Sequence, residues 1–189
     1  MTRRRQAPAA PGALWTLITG SPEDTEAIGE QLGRLLRPGD VVALDGELGG
    51  GKTTLVRGLV RGLGRDPAQV KSPTFVLVRE YPPARQAPDA PLIVHVDAYR
   101  LQGAAAAMAL DLEWLMNPRT ITIVEWAERI ADALPEARIA MRLDYVQAAR
   151  RRLSLLPGGR AAAVADALPA AGSASDAADA GGADASAGD

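Results

Sequence analysis

The chain has 189 residues, with 21 Lys and Arg against 23 Asp and Glu, one His and no Cys, enough for one compact domain and too little for a multidomain machine. Without Cys there is no disulfide framework and no thiolate zinc site, and one His is too few for most metal clusters, so any metal is expected to be held by oxygen. The formal net charge is −2, or about +2 once the four acids of residues 171–189 are set aside, which is no electrostatic footprint for nucleic acid.

Residues 1–13 read as a loose basic arm, because the arginines at 3–5 run into a Pro/Ala segment rather than an apolar signal core. No run of eighteen apolar residues exists, so a cytoplasmic location without membrane contact is expected. Leu14–Ile18 has strand character. Ser21 then stands as an N-cap, with Pro22 at the first helical position and Asp24 three residues past the cap. Ile28, Leu32, Leu35 and Leu36 recur at helical spacing until Pro38 and Gly39 stop the run. Val41–Leu44 is a short apolar run of the kind found in buried strands, and a glycine loop follows it. The next helix is predicted over Lys52–Leu63, with Gly64 as its terminator.

Further along, Phe75–Val78 and Leu92–Val96 read as neighbouring strands joined by a Pro-rich connection over Tyr81–Pro91. Ala104–Leu115 is predicted as a weak helix, Ile121–Val124 as a strand, and Trp126–Leu134 as a short helix halted by Pro135. Ile139–Leu143 and Leu153–Leu155 are expected as strands near a sheet edge. Residues 158–189 read as a low-complexity Ala/Gly/Ser/Asp tail, whose last nineteen residues hold only those four types and cannot bury enough apolar surface to offset chain entropy. The domain is therefore expected over 14–157.

The segment from Gly46 through Lys52 to Thr53 fits the pattern of a Gly, four residues, then Gly-Lys-Thr, and it stands between a predicted strand and a predicted helix. A loop wrapping an anion must turn tightly and aim backbone N–H groups inward, which Gly49, Gly50 and Gly51 permit. The helix start adds unpaired N–H groups and a positive dipole end. Leu48 to Thr54 is thus the candidate nucleotide-binding segment, with Lys52 on the β- and γ-phosphates and the Thr53 hydroxyl on Mg²⁺. Composition supports Lys52 in particular. Nineteen of the 21 bases are Arg and the only lysines are Lys52 and Lys71, so a compact ammonium has been kept where a planar guanidinium would not fit inside the loop. The fold class that follows is α/β: a P-loop-type twisted, mostly parallel sheet flanked by helices.

Lys71 stands beside Ser72, Pro73 and Thr74, a segment read either as an ordinary loop or as a switch-like loop closing over the γ-phosphate. Nucleotide hydrolysis also calls for a carboxylate on Mg²⁺ or its water at a strand end. Asp97 ends one predicted strand and Glu125 another; each could instead be a helix-start acid. His95 reads as a structural hydrogen-bonding residue, and Tyr99 and Trp126 as packing residues.

Four segments together resemble the TsaE (YjeE) family, the bacterial ATPase of threonylcarbamoyladenosine formation on tRNA: 46–54, 71–75, 95–100 and 124–126. The resemblance covers about residues 16–155. It implies a P-loop α/β sheet, ATP and Mg²⁺ as cofactors, and the TsaB and TsaD proteins as partners, with tRNA contacted indirectly. Carried over by motif, Lys52 and Thr53 are similar to the phosphate and metal residues, Glu125 looks like the acid completing the metal site with Thr53, and Asp97 resembles the second essential acid. Lys52, Asp97 and Glu125 are thus the expected catalytic residues. Ser72 and Thr74 would lie in the switch-like loop with Lys71. One departure is Ala127, where the family often has proline. Arg100 is a candidate arginine finger. Two rival readings are a small-molecule kinase with Arg150, Arg151 and Arg152 as a lid, and a nucleotide-sensing module with negligible turnover. A guanine-specific enzyme is disfavoured, since no Asn-Lys-x-Asp segment is present.

Overall fold

A computed structural model describes residues 10–71, 77–83, 87–101 and 111–169. In chain order the described elements are β1 (Trp15–Thr19), α1 (Pro22–Leu35), β2 (Val41–Gly46), α2 (Lys52–Gly62), a 3₁₀ turn (Pro67–Gln69), β3 (Val78–Tyr81), β4 (Leu92–Asp97), α3 (Leu112–Leu115), β5 (Thr120–Glu125), a 3₁₀ segment (Ala127–Ala133), β6 (Ile139–Gln147), β7 (Arg150–Leu155) and α4 (Ala161–Ala167). The strands form one sheet in the order β1-β7-β6-β2-β5-β4-β3. Its centre, β6-β2-β5-β4, is parallel, and antiparallel strands close both flanks. This is the expected α/β class.

The strands β2, β4 and β5 are covered on both faces, which is why apolar side chains predominate on both of their sides. Val42 and Leu44 of β2 join Ile121 and Ile123 of β5 under α1 and α2. Val41 and Ala43 point the other way and pack with Val94, Val96, Val124 and Ile130. All these side chains are almost fully buried, each contributing about 1.5–3 kcal/mol of transfer free energy for a Val, Leu or Ile.

The start of α1 is built as its sequence predicts: the Ser21 hydroxyl accepts the Asp24 N–H at 3.0 Å, and the Asp24 carboxylate accepts the Gly20 N–H at 2.9 Å. A feature the sequence reading did not single out brings α1 and α2 together. Gly29 and Gly33 face Gly58 and Gly62, and a Cβ on Gly58 would collide with the Glu26 carbonyl, one on Gly29 with the Leu55 carbonyl. The helices touch backbone to backbone.

Several expectations are corrected. Of the strand expected at Phe75–Val78, residues 75 and 76 lie outside the described residues; the strand described there spans Val78–Tyr81, into the segment expected as a connection. Tyr81 is its buried last residue, paired with Ile93; the run is short, charged at Arg79 and Glu80, and followed by prolines, so its pattern reads as a connection. β6 is not near an edge, because it pairs in parallel with β2 and is sheltered by β7. Of the helix expected over Ala104–Leu115, residues 104–110 lie outside the described residues, and Asp111 caps a helix found over Leu112–Leu115. The segment after Trp126 is 3₁₀ in character, not a regular helix.

The tail boundary at 158 also moves. α4 buries Ala161 and Val164 with Leu168 against the α1 side of the core. Arg160 binds Asp40 at 2.6 Å and the Leu35 carbonyl at 3.0 Å, and the Trp15 indole donates to the Pro169 carbonyl at 2.7 Å. An Ala-rich stretch carries little periodic signal, yet Val164 and Leu168 at i and i+4 suffice to dock it. Among the described residues no helix is long and apolar enough to cross a membrane.

Candidate functional site

The ends of β2, β4 and β5 converge with the start of α2 around a cavity of about 340 Å³, lined by Leu48 to Thr54, Asp97, Tyr99, Glu125 and Trp126. All seven residues of the expected nucleotide-binding segment are in that lining, together with both strand-end acids. Gly49 and Gly51 hold φ of +75° and +98°, the left-handed region that other residues enter at a cost. Gly51 is the residue before α2, and no side chain caps the helix there. In contrast with α1, the first-turn N–H groups of α2 are left for an anion.

Lys52 is 4% exposed. Its ammonium donates to the carbonyls of Gly46 at 2.6 Å and Glu47 at 2.9 Å, and lies 3.5 Å from the centre of the Trp126 ring. Burial pushes the Lys52 pKa down, while Glu125 and Glu128 pull it back up. Trp126 reaches this place by adopting φ +59°, the one non-glycine residue with positive φ among those described, a conformation costing about 1–3 kcal/mol. Tyr99 packs against it at 5.0 Å, and the Arg129 guanidinium lies 4.9 Å over Tyr99.

Opposite the helix start, the Thr53 hydroxyl lies 3.0 Å from both carboxylate oxygens of Glu125. Glu125 is buried, and its Oε1 also meets His95 Nε2 at 2.9 Å. Asp97, paired in register with Glu125 across β4 and β5, accepts the Tyr99 N–H at 2.8 Å. Burial raises the Asp97 pKa, and the Tyr99 N–H works against that rise. A hydroxyl and carboxylates, all hard oxygen donors, are the set that suits Mg²⁺, so the chemistry of the residues fits that ion.

Other sequence-predicted residues fall elsewhere. Lys71 is exposed, and Ser72 and Thr74 lie outside the described residues. Arg100 is exposed in the turn after β4 and is not in the cavity lining. Arg150, Arg151 and Arg152 belong to β7 rather than to a helical insertion. Arg151 has a place that sequence reasoning missed: its guanidinium donates to the Gly49 carbonyl at 3.0 and 3.2 Å and lies over the Tyr145 ring. That contact spans 102 positions and depends on the β6–β7 pairing, which no local pattern announces. The link from Asp45 to Glu128, whose N–H donates to the Asp45 carboxylate at 2.9 Å, was also unread, although both acids stand at element ends.

With this geometry in hand, comparison with known proteins is informative. The family model described as threonylcarbamoyl adenosine biosynthesis protein TsaE matches residues 19–153. The tRNA threonylcarbamoyladenosine biosynthesis protein TsaE of Streptomyces coelicolor is 49% identical over 118 residues, which is 62% of this chain and 76% of that protein. The protein of the same name from Mycobacterium tuberculosis is 36% identical over 164 residues, covering 84% and 95%. Among solved structures, the crystal structure of YdiB from Bacillus subtilis is similar with a TM-score of 0.63 and 28% identity, over 80% of this chain and 90% of that one.

Proposed function

The chain belongs to the TsaE family of threonylcarbamoyl adenosine biosynthesis proteins, and from that premise we propose that it is a Mg²⁺-dependent ATPase of low intrinsic turnover. Its role lies in threonylcarbamoyladenosine formation on tRNA; it acts in the cytoplasm on TsaB and TsaD, contacts tRNA only indirectly, and leaves the modification chemistry to those partners. The single observation that carries the reading is the meeting of Thr53 and Glu125, 3.0 Å apart, at the open start of the helix that follows a glycine loop.

In this reading the N–H groups at the start of α2 and the Lys52 ammonium hold the β- and γ-phosphates. Lys52 already sits over the cavity, held by Gly46, Glu47 and Trp126, so little side-chain ordering remains when the anion arrives. Thr53 and Glu125 would hold Mg²⁺, which when bound neutralises charge on the β- and γ-oxygens. Asp97 orients the attacking water from the neighbouring strand end. Arg151 holds the loop by its two hydrogen bonds to the Gly49 carbonyl.

The test is phosphate release from ATP with no added acceptor, for the native chain, Lys52→Ala and Asp97→Asn, each with and without TsaB and TsaD. Slow release into water, faster with the partners and lost in both variants, supports the proposal. Absence of any adenine-nucleotide affinity by calorimetry, or release only with a small-molecule acceptor, overturns it.

A further inference from the structure

We propose that His95, anchored by Tyr81, is a positioning residue that fixes the orientation of the Glu125 carboxylate toward Thr53. The inference rests on the metal-site reading of Glu125 given above and extends it to residues outside the cavity lining.

His95 is fully buried in β4. A polar group so placed costs about 1–3 kcal/mol unless it is hydrogen-bonded, and here both ring nitrogens have partners. Nε2 lies 2.9 Å from Glu125 Oε1, and Nδ1 lies 3.4 Å from the Tyr81 hydroxyl. The carboxylate can only accept, so the nitrogen facing it carries the hydrogen. In the neutral ring Nδ1 is then an acceptor, and Tyr81 must donate. Burial pushes the Tyr81 pKa up to about 12, which keeps that hydroxyl proton in place at any ordinary pH.

The last torsion of a glutamate is broad and two-fold, so a carboxylate at a strand end has no intrinsic reason to present one face. A fixed Nε2–H on Oε1 supplies it, as outer partners do for metal-binding carboxylates generally. The chain of contacts runs across three neighbouring strands to α2: Tyr81 on β3, His95 on β4, Glu125 on β5 and Thr53 at the helix start.

His95 is the sole histidine of the chain, so the long-range ¹⁵N–¹H spectrum of the full-length protein shows one imidazole. The expected result is a proton on Nε2, with the Nδ1 signal moving in Tyr81→Phe; a ring that carries its proton on Nδ1 alone overturns the proposal. The second measurement is ADP affinity in Mg²⁺ and in EDTA for the native chain, His95→Leu and His95→Gln. His95→Leu should reduce the Mg²⁺-dependent gain about 10- to 100-fold with affinity in EDTA unchanged. His95→Gln, which keeps an N–H at the Nε2 position, should recover most of that gain; a purely space-filling role would rank the two variants the other way. Equal Mg²⁺-dependent gains in all three proteins overturn it. If the native chain shows no ADP affinity in either condition, the nucleotide reading itself fails, an outcome the tautomer measurement distinguishes. Should His95→Leu not fold, the glutamine variant and the tautomer still decide.

Discussion

Lys52 is held before any ligand arrives, by two carbonyls of its own loop and the face of Trp126. Lys52→Ala should therefore leave the fold intact and weaken ATP affinity by at least about tenfold, equivalent to about 1.4 kcal/mol, as read by calorimetry. Glu128 gives a pH prediction. Its pKa is pushed from 4.5 up to about 7, first by burial and then by the neighbouring Asp45 carboxyl. A folded-state value above the unfolded one means the native state binds the proton more tightly. That contribution is fully present below pH 4.5 and is lost as pH rises through about 7. Denaturant unfolding between pH 4.5 and 8 should show stability falling over this window, and Glu128→Gln should flatten the fall. At this scale the convergence of three residues on one cavity was legible: two lysines among nineteen arginines marked Lys52, and strand-end acids marked Asp97 and Glu125. Arg151 was not legible, because only the pairing of β7 with β6 brings it to Gly49.

Among the elements, the glycines of α1 and α2 decide how close the two helices come. Gly58→Ala gains helix propensity but drives its methyl into the Glu26 carbonyl and the backbone of Gly29 and Glu30. Overpacking against peptide groups outweighs the propensity, so a net loss of about 1–3 kcal/mol is expected, seen as a melting temperature lower by about 2–4 °C for each kcal/mol. At the start of α1, Ser21→Ala removes the acceptor for Asp24 N–H and should cost about 1 kcal/mol. The strands β2, β4 and β5 could be read from sequence because burial on both faces makes β-branched and other apolar residues predominate in each short run. β3 could not: it is an edge strand with two charged residues and prolines behind it. Nor do glycines inside a helical pattern say by themselves which backbone they approach.

For the whole molecule, α4 adds Ala161, Val164 and Leu168 to the core beyond the expected end of the domain. Removing residues 170–189 keeps the Pro169 carbonyl for Trp15 and the Arg160–Asp40 pair, so the melting temperature should not change. Removing 158–189 takes away Ala161, Val164 and Leu168 from the core and should lower it by several degrees, measured by circular dichroism. The overall class followed from three buried strands interleaved with helical periodicity and a glycine loop. Strand order did not, since β6 enters the centre of the sheet by a long-range pairing that sequence spacing leaves open.

Because α1 and α2 meet through peptide groups at Gly29, Gly33, Gly58 and Gly62, and the Arg61–Glu26 ion pair ties them at their surface, neither can swing while the other stays. Their amides should exchange with deuterium as one cooperative unit, and a nucleotide that touches α2 but not α1 should slow exchange along α1 to the same degree.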